Sequence, residues 1–265
     1  MLLTIRHTSH YRYDVPVAYA VQRLRLRPQT TTGQKMLQWQ VTVDGADPEV
    51  SYTDGYGNKV DLVRHGRNVR EITITATGQV ETEDRAGVMG ETGGFAPLWL
   101  FLRRTMLTQP GEALREMAVG IPTEGDRLAV LHALMNAVHQ RVAYVPGTTD
   151  VTTDAENALK NGKGVCQDHA HIFISVARLL GIPARYVSGY LMMEGVVDQT
   201  ASHAWAEAHV ADLGWIGFDA ANNICPNERY VRIACGLDYR DAAPISGMRF
   251  GSAVERLAVE INVEQ

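Results

Sequence analysis

The sequence predicts an α+β protein in which an N-terminal antiparallel β-domain, residues 1–105, precedes a unit of helices and strands, residues 106–265. Apolar and polar residues alternate through about the first 80 positions, which is the two-residue period of β-strands. Residues 126–142 and the run after Cys166 instead carry apolar side chains at helical spacing. A hairpin of two short strands follows around residues 203–219. These three patterns define the predicted architecture.

The N-terminal domain is predicted to be a β-sandwich or barrel. Alternation is clearest around Leu3 and Ile5, from Trp39 to Val43, and from Ile72 to Ala76. Turn sequences separate these runs, among them Asp54-Gly55-Tyr56-Gly57-Asn58. Short strands joined by such turns are typical of antiparallel sandwiches. We expect the Asp54–Asn58 turn to be structural, because Gly and Asn tolerate positive φ.

The middle of the chain connects the two units. Residues 81–96 are rich in Gly and acids, and they predict a surface connection, since the strand-Gly-helix context of a phosphate-binding loop is missing. A short helix is expected over residues 97–104, and an amphipathic helix over 126–142. Thr153-Asp154-Ala155-Glu156 reads as a capping box for another short helix that ends near Gly162.

Cys166 is the first candidate for a reactive side chain. Gly162 and Gly164 permit a tight turn before it, and apolar residues at helical spacing follow it up to Gly181-Ile182-Pro183. Cys166 therefore lies on the first turn of a mostly buried helix. Unpaired backbone N–H groups and the positive end of the helix dipole favour a thiolate there, and thiolate is the nucleophilic form. A buried, inert cysteine is the alternative.

His203 and Asp219 are the candidates for a base and its orienting acid. His203 begins a strand whose small apolar residues alternate with larger ones, so we expect one face on a core and the other on a cleft or solvent. Asp219 ends the next strand after an Asp212-Leu213-Gly214 turn. An acid on a neighbouring strand can hold an imidazole while the other ring nitrogen takes a thiol proton. The register is not determined by the sequence.

Four segments together resemble one protein family. They are Gly-Val-Cys-Gln-Asp-His-Ala-His from Gly164, Gly-Ile-Pro-Ala-Arg-Tyr-Val-Ser-Gly-Tyr from Gly181, His-Ala-Trp-Ala-Glu from His203, and Gly-Trp-Ile-Gly-Phe-Asp from Gly214. In this order they resemble the bacterial transglutaminase-like superfamily, often described as cysteine proteases. The His7–Val17 stretch resembles the β-domain that precedes many such cores.

The resemblance implies a papain-like core, with Cys166 as nucleophile, His203 as base and Asp219 as orienting acid. Two departures stand out. His169 occupies a position that is often aromatic in such proteins, and Asp219-Ala220-Ala221-Asn222 replaces an expected Asp-Pro-Thr-Asn. The acid is retained, but the loop behind it is expected to differ.

The chemistry indicated is acyl transfer through a thioacyl intermediate, most readily hydrolysis of peptide or amide bonds. The oxyanion needs a donor besides the Cys166 backbone N–H, and Gln167 and Tyr144 are candidates. Water as acceptor gives hydrolysis, and an amine gives protein crosslinking. A calcium loop of alternating Asp/Asn ligands is missing, which disfavours a calcium-switched crosslinker. A non-catalytic interaction module on the same fold is the third alternative.

Several other residues are candidates for the surroundings of the site. Trp205 is expected in the core or cleft wall, with substrate stacking as the alternative. Glu207 shares the face of His203, so a salt bridge, a substrate contact or simple solvation are open. Tyr190 is a candidate for the cleft lining, and His171 for packing beneath the helix. A Cys166/His169/His203 metal site is a minor alternative, and we expect no metal and no cofactor.

The composition limits the partners. The chain of 265 residues is 45% hydrophobic and 21% charged, with a net charge of −5, which gives no reason to expect nucleic acid. No apolar stretch reaches membrane-spanning length, and the N-terminal residues lack a signal-peptide pattern, so a cytoplasmic protein with a peptide or protein substrate is expected. Three cysteines, none in a Cys-x-x-Cys pair, suit a reducing compartment. The oligomeric state is left open.

Overall fold

A computed structural model describes residues 1–265. It contains two β-rich regions, each with its own hydrophobic core. In the N-terminal region six strands follow one another: β1 (Leu2–Val17), β2 (Tyr19–Arg27), β3 (Gln34–Val43), β4 (Pro48–Thr53), β5 (Lys59–Arg64) and β6 (Val69–Thr82). Near the C-terminus β15 (Ile245–Phe250) and β16 (Glu255–Glu264) join them. They form two antiparallel sheets, and apolar side chains of both pack into one shared cluster. The predicted β-sandwich is confirmed.

The remaining elements form the second region. Its strands are β7 (Val88–Gly90), β8 (Ala143–Tyr144), β9 (Lys163–Gly164), β10 (Ala184–Leu191), β11 (Asp198–Gln199), β12 (His203–Val210), β13 (Gly214–Phe218) and β14 (Tyr230–Gly236). Of these, β11 pairs with β16 and so extends an N-terminal sheet. Its helices are α1 (Glu112–Gly120), α2 (Arg127–Arg141), α3 (Ala155–Asn161), α4 (Cys166–Leu179) and α5 (Tyr239–Ala242), with a 3-10 helix at Leu98–Leu102. None of these helices combines the length and apolarity needed to cross a bilayer.

Helix α4 is the centre of the second region. It packs against the face of β12 that carries Ala204, Ala206 and Ala208, within a sheet ordered β14-β10-β12-β13-β7. The small alanine side chains let the helix approach the sheet closely, and the cluster they share with α4 is the largest in the molecule. An α+β fold is therefore confirmed, with the helix that begins at Cys166 packed on an antiparallel sheet.

The opposite face of this sheet is also buried, contrary to the expectation of a cleft or solvent. Trp205 and Glu207 on β12 are 3% and 0% exposed. The Glu207 carboxylate accepts hydrogen bonds from Arg185 at 2.6 Å and Arg232 at 2.9 Å, and Arg185 lies 3.8 Å from the ring centroid of Trp215. These charges can be buried because the one carboxylate is shared by two arginines of the same sheet, Arg185 on β10 and Arg232 on β14.

Strand pairing links the two regions. β15 pairs with β2 and β16 pairs with β1, so the end of the chain returns to the N-terminal sheets. β7, within the Gly-rich connection, pairs with β13 and extends the sheet of the second region. The division between residues 105 and 106 stays a prediction. β7 precedes this division but pairs with β13, whereas β15 and β16 follow it but pair with N-terminal strands.

Polar side chains also join the regions. The Asn58 side chain, at the end of the Asp54–Asn58 turn, donates to the Cys235 carbonyl at 2.7 Å and accepts from the Cys235 N–H at 2.8 Å. The Tyr56 hydroxyl donates to Asp241 at 2.8 Å. Asn58 is fully buried, so both backbone groups of Cys235 depend on it for satisfaction. The turn thus contacts the second region.

One local prediction is wrong. Asp154, and not Thr153, caps α3, where its carboxylate accepts from the Asn157 N–H at 2.8 Å. The Glu156 carboxylate does not fold back onto its own helix start. It accepts instead from backbone N–H groups at the start of α1, which are otherwise unpaired: Gly111, Ala113 and Leu114.

Candidate active site

Cys166 is the first residue of α4 and is 9% exposed. The turn before it is held by Asp168, whose carboxylate accepts from the Val165 N–H at 2.7 Å and from the Thr149 hydroxyl at 2.6 Å. A Cβ at Gly164 would lie 2.7 Å from that carboxylate, so a side chain there would displace it. Burial raises the pKa of Asp168, while these hydrogen bonds act to lower it. Local packing thus sets the position of Cys166.

His203 and Asp219 are brought together by the hairpin of β12 and β13. Ala206 lies opposite Phe218, so Asp219, just beyond β13, is diagonal to His203 at the start of β12. The His203 Nε2 lies 2.6 Å from the Asp219 Oδ2. This contact occupies Nε2 and leaves Nδ1 as the ring nitrogen available to other groups.

Asp219 is held by more donors than His203 alone. Its Oδ2 accepts from the Tyr230 hydroxyl and from the Asn222 side-chain amide, both at 2.7 Å. Its Oδ1 accepts from the backbone N–H groups of Ala221 at 3.0 Å and Asn222 at 3.2 Å. Burial acts to raise the pKa of Asp219, but the hydrogen bonds, with that of His203 foremost, lower it overall. The side chain is therefore a fully buried carboxylate with a complete set of partners.

Sequence reasoning missed both Tyr230 and Asn222. Asn222 could have been found, because a side chain three residues after an Asp often takes part in the local turn. Tyr230 carried no such signal, since it begins another strand, β14, and reaches Asp219 only through the sheet.

The environment of His203 favours its protonated form. Burial alone would lower the pKa of His203, but hydrogen bonds to Asp219 and Cys166 and their negative charges outweigh it and raise the pKa to about 10. The Trp205 ring stacks beside the imidazole at 6.3 Å between centroids and 28° between planes. Trp205 in turn contacts the Tyr230 ring edge-on at 5.4 Å. Trp205 thus supports His203 from within the core.

Cys166 and His203 line the same cleft, of about 1880 Å³ including the space open to solvent. Gln167 and Tyr144, the two candidate oxyanion donors, also line it. Tyr144 pairs with Gly164 across β8 and β9, and its side chain is half exposed. The pKa of the Tyr144 phenol is raised to about 12 by burial and by the charges of Cys166 and Asp219. Its hydroxyl therefore keeps its proton at neutral pH.

The other predicted site residues lie away from this cleft. Glu207 is buried between two arginines, and Trp205 is in the core behind His203. Tyr190 is 1% exposed and its hydroxyl lies 2.9 Å from the His7 Nδ1 of the N-terminal domain, so it does not line the cleft. His171 belongs to α4 and is fully buried, and its Nε2 accepts from the Tyr239 N–H at 3.2 Å. Burial and the charge of Arg178 lower the pKa of His171 to about 3.

His169 is oriented away from a role as a metal ligand. Its Nδ1 lies 2.8 Å from the Val165 carbonyl oxygen and its Nε2 3.0 Å from that of Val142. Both ring nitrogens therefore face backbone acceptors. No group of three or more His, Cys, Asp or Glu side chains is arranged to hold a metal ion.

Comparison with known proteins places this geometry in context. Residues 115–220 match the model of the transglutaminase-like superfamily, and residues 3–81 match that of the bacterial transglutaminase-like N-terminal region. An uncharacterized protein of Mycobacterium leprae is 30% identical over 279 residues, which cover 98% of each chain. Another of Mycobacterium tuberculosis is 27% identical over 286 residues, covering 98% of this chain and 91% of that one.

A solved structure supports the same assignment of the fold. The crystal structure of a Cytophaga hutchinsonii protein superposes with a TM-score of 0.78 at 24% identity, and the match covers 100% of this chain and 91% of that one. At this identity the likeness extends to the fold. The resemblance drawn from the sequence segments, including the N-terminal β-domain and the papain-like core, is confirmed.

Proposed function

Because this chain belongs to the transglutaminase-like superfamily, we propose that it is a cysteine-dependent acyl-transfer enzyme that hydrolyses peptide or amide bonds. The observation that carries the proposal is the 2.6 Å contact between His203 Nε2 and Asp219 Oδ2 at a cleft that Cys166 also lines. The Cytophaga hutchinsonii protein of the same fold is described as a candidate cysteine protease, which agrees with this assignment.

In the first half-reaction Cys166 forms a bond to the carbonyl carbon of the substrate. The thiol proton of Cys166 is already on Nδ1 of His203 in the resting enzyme, since Nε2 is engaged by Asp219 and the raised pKa of His203 favours the protonated ring. The Cys166 thiolate then attacks. The tetrahedral oxyanion collapses, the C–N bond breaks, and His203 returns the proton to the leaving amine. A thioacyl-enzyme is left on Cys166.

In the second half-reaction a water molecule replaces the amine. His203 removes a proton from the water, the oxygen attacks the thioester carbon, and the C–S bond breaks to release a carboxylic acid. Asp219 keeps the imidazole in one orientation throughout and stabilises its protonated form, because its charge and other hydrogen bonds are fixed within the core.

The oxyanion has two sources of hydrogen bonds in this proposal. The backbone N–H of Cys166 belongs to the first turn of α4 and has no intrahelical acceptor. The Tyr144 hydroxyl, which keeps its proton at neutral pH, supplies the second, with Gln167 as the alternative on the same cleft wall. Loss of one such donor typically costs about 100-fold or more in turnover.

Alkylation by iodoacetamide across pH, followed by intact mass and peptide mapping, tests the activation of Cys166. We expect Cys166 to label far faster than Cys225 near neutral pH, and to lose this advantage in His203→Ala. His209→Ala is the matched control, because His209 lies on the same strand but outside the cleft. Equal labelling of Cys166 and Cys225, or an unaltered rate in His203→Ala, would contradict the proposal.

A second experiment separates hydrolysis from crosslinking. A peptide amide is incubated with enzyme, with and without a primary amine, and products are resolved by mass. Release of the acid at the same rate in both mixtures supports hydrolysis. Predominant amide exchange with the amine would instead make the enzyme a transamidase with the same Cys166, His203 and Asp219 chemistry.

A further inference from the structure

A second pocket lies between the two regions and apart from the cleft. It encloses about 440 Å³, including the space open to solvent. Gln34 and Arg85 line it from the N-terminal domain, and Trp205, Tyr230 and Arg232 line it from the sheet of the second region. We call it the Arg232 pocket. None of these five residues lines the cleft, so the pocket is separate from the proposed site of acyl transfer.

The charged cluster at this pocket carries one more positive than negative charge. The guanidinium groups of Arg185 and Arg232 share a single carboxylate, that of Glu207, and neither forms an ion pair with any other acid. The pKa of Glu207 is lowered by the two arginines, against the effect of its burial, so Glu207 is ionised. Two buried cations and one buried anion leave a net charge of +1, which is costly in a protein interior and favours a further anion nearby.

The uncompensated charge belongs to Arg232. Its Nε donates to Glu207 at 2.9 Å, whereas its Nη2 is buried and has no acceptor. The Nη2 of Arg185 also lacks an acceptor, but that guanidinium lies 3.8 Å from the ring centroid of Trp215, a cation–π contact that offsets part of its charge. Arg185 does not line the pocket, whereas Arg232 does. The pocket is therefore lined by a buried arginine with an unused donor.

Cys235 is the other acidic group that acts on Arg232. Its Sγ donates to the Tyr56 carbonyl oxygen at 3.7 Å, a hydrogen bond that requires the protonated, neutral thiol. Cys235 therefore does not supply the balancing negative charge.

The walls of the pocket hold Arg232 in place and add a second guanidinium. The Gln34 side chain donates to the Arg232 carbonyl at 2.9 Å and accepts from the Arg232 N–H at 2.7 Å. Arg85 is 42% exposed and lies 3.7 Å from Glu83, which also lines the pocket but is itself 70% exposed. Such a long, exposed ion pair is weak, so Arg85 can turn to another acceptor. Planar guanidinium groups match the two oxygens of a carboxylate.

We propose that the Arg232 pocket binds a small carboxylate anion, which accepts hydrogen bonds from Arg232 and Arg85 and balances the buried charge. The inference goes beyond the proposed function, because binding requires no reaction at Cys166.

The pocket shares two side chains with the support of the candidate active site. Tyr230 donates to Asp219 at 2.7 Å, and Trp205 stacks beside His203. Both also line the Arg232 pocket. A carboxylate bound there contacts the residues that hold His203 and Asp219.

Isothermal titration calorimetry with sodium acetate measures the binding. Sodium chloride keeps the ionic strength constant, and acetamide, which has the shape of acetate without its charge, is the matched ligand control. We expect saturable binding of acetate with a dissociation constant of about 1 mM, because so small a ligand makes few contacts. Acetamide should release no saturable heat.

Substitutions of the two pocket arginines test the assignment. Arg232→Gln leaves Glu207 paired one-to-one with Arg185, so it should fold and weaken acetate binding about tenfold or more. Arg85→Gln changes an exposed side chain and should weaken binding severalfold. Arg12→Gln is the matched control, because Arg12 also forms an exposed ion pair, at 3.5 Å, but lies outside the pocket.

Acetate affinity equal to wild type in Arg232→Gln would overturn the inference. If that variant does not fold, unaltered affinity in Arg85→Gln would do so. His203→Gln locates the anion, since acetate bound in the cleft would depend on the protonated imidazole. Unaltered affinity in His203→Gln supports the Arg232 pocket, and lost affinity would overturn the inference.

The proposed function is judged separately by the dependence of Cys166 alkylation on His203. If acetate binds as expected while His203→Ala leaves this alkylation unaltered, the anion site stands and the catalytic proposal fails. If alkylation depends on His203 while acetate does not bind, the enzyme assignment stands and the anion site fails.

Discussion

Neutralising Glu207 is expected to destabilise the fold strongly without altering the chemistry of the cleft. The Glu207 carboxylate is fully buried and is the common partner of Arg185 and Arg232, whose side chains are 3% and 5% exposed. Glu207→Gln keeps the shape of the side chain but leaves two guanidinium charges buried without an anion. The cation–π contact of Arg185 with Trp215 compensates only part of this loss.

The expected cost follows from the burial of the pair. Removing one partner of a buried ion pair typically costs about 3–5 kcal/mol, because the remaining charge is desolvated and uncompensated. For a protein of this size a loss of 1 kcal/mol lowers the melting temperature by roughly 2–4 °C, so a decrease of about 10 °C is expected. By contrast, Glu194→Gln breaks an exposed ion pair with Arg229 and should change the stability by less than about 1 kcal/mol.

Urea unfolding followed by fluorescence measures both variants, and iodoacetamide labelling of Cys166 is run on the folded protein at low temperature. Glu207→Gln should have a markedly lower unfolding midpoint with Cys166 labelling close to wild type. An unfolding free energy within about 0.5 kcal/mol of wild type would refute the argument from buried charge. A stable variant that no longer turns over peptide would instead show that Glu207 contacts the substrate.

Three further predictions concern the groups around the site. Tyr230→Phe removes one donor to Asp219 and should cost about 1.5–3 kcal/mol of unfolding free energy. It should slow the labelling of Cys166 less than Asp219→Ala does. A larger loss of labelling than in Asp219→Ala would contradict a supporting role for Tyr230. Asn58→Ala leaves the buried N–H and carbonyl of Cys235 unpaired and should cost about 2–4 kcal/mol of unfolding free energy in the same assay. An unchanged unfolding free energy would contradict this expectation and show that water satisfies both groups. Burial lowers the pKa of His203, but contacts with Asp219 and Cys166 raise it overall to about 10 from 6.5. Its protonated form therefore stabilises the fold fully below pH 6.5, and the contribution is lost as pH rises through 10. The urea midpoint of wild type should fall between these pH values, whereas that of His203→Gln should not. Parallel pH profiles of the two proteins would contradict this prediction.

The sequence determined the elements that hold the candidate site, because their signals are local. Apolar residues at helical spacing after Gly164 predicted α4 with Cys166 at its start, and the structure has this helix at Cys166–Leu179. The short turn between two alternating runs predicted the hairpin that brings His203 and Asp219 within hydrogen-bond distance. Periodicity and turn residues act over a few positions, so they can be read without knowledge of the rest of the chain.

Tertiary structure decided what each face of those elements meets. Alternation along β12 showed that His203, Trp205 and Glu207 share a face, but not that Tyr56 and Phe101 pack over this side of the sheet. That covering makes Glu207 a buried partner of Arg185 and Arg232, and the contact with His7 removes Tyr190 from the cleft. Strand neighbours far apart in sequence determine these contacts, and alternation carries no information about them.

The same reason explains the composition of the cleft. The 192–202 loop is visible in the sequence, but the pairing of Asp198 with Asn262 places the C-terminal strand beside the cleft, and Tyr230 reaches Asp219 across the sheet. The local sequence therefore determined which residues could react and in which order they occur. The packing of distant strands decided which side chains surround them, because such contacts depend on long-range register and not on local periodicity.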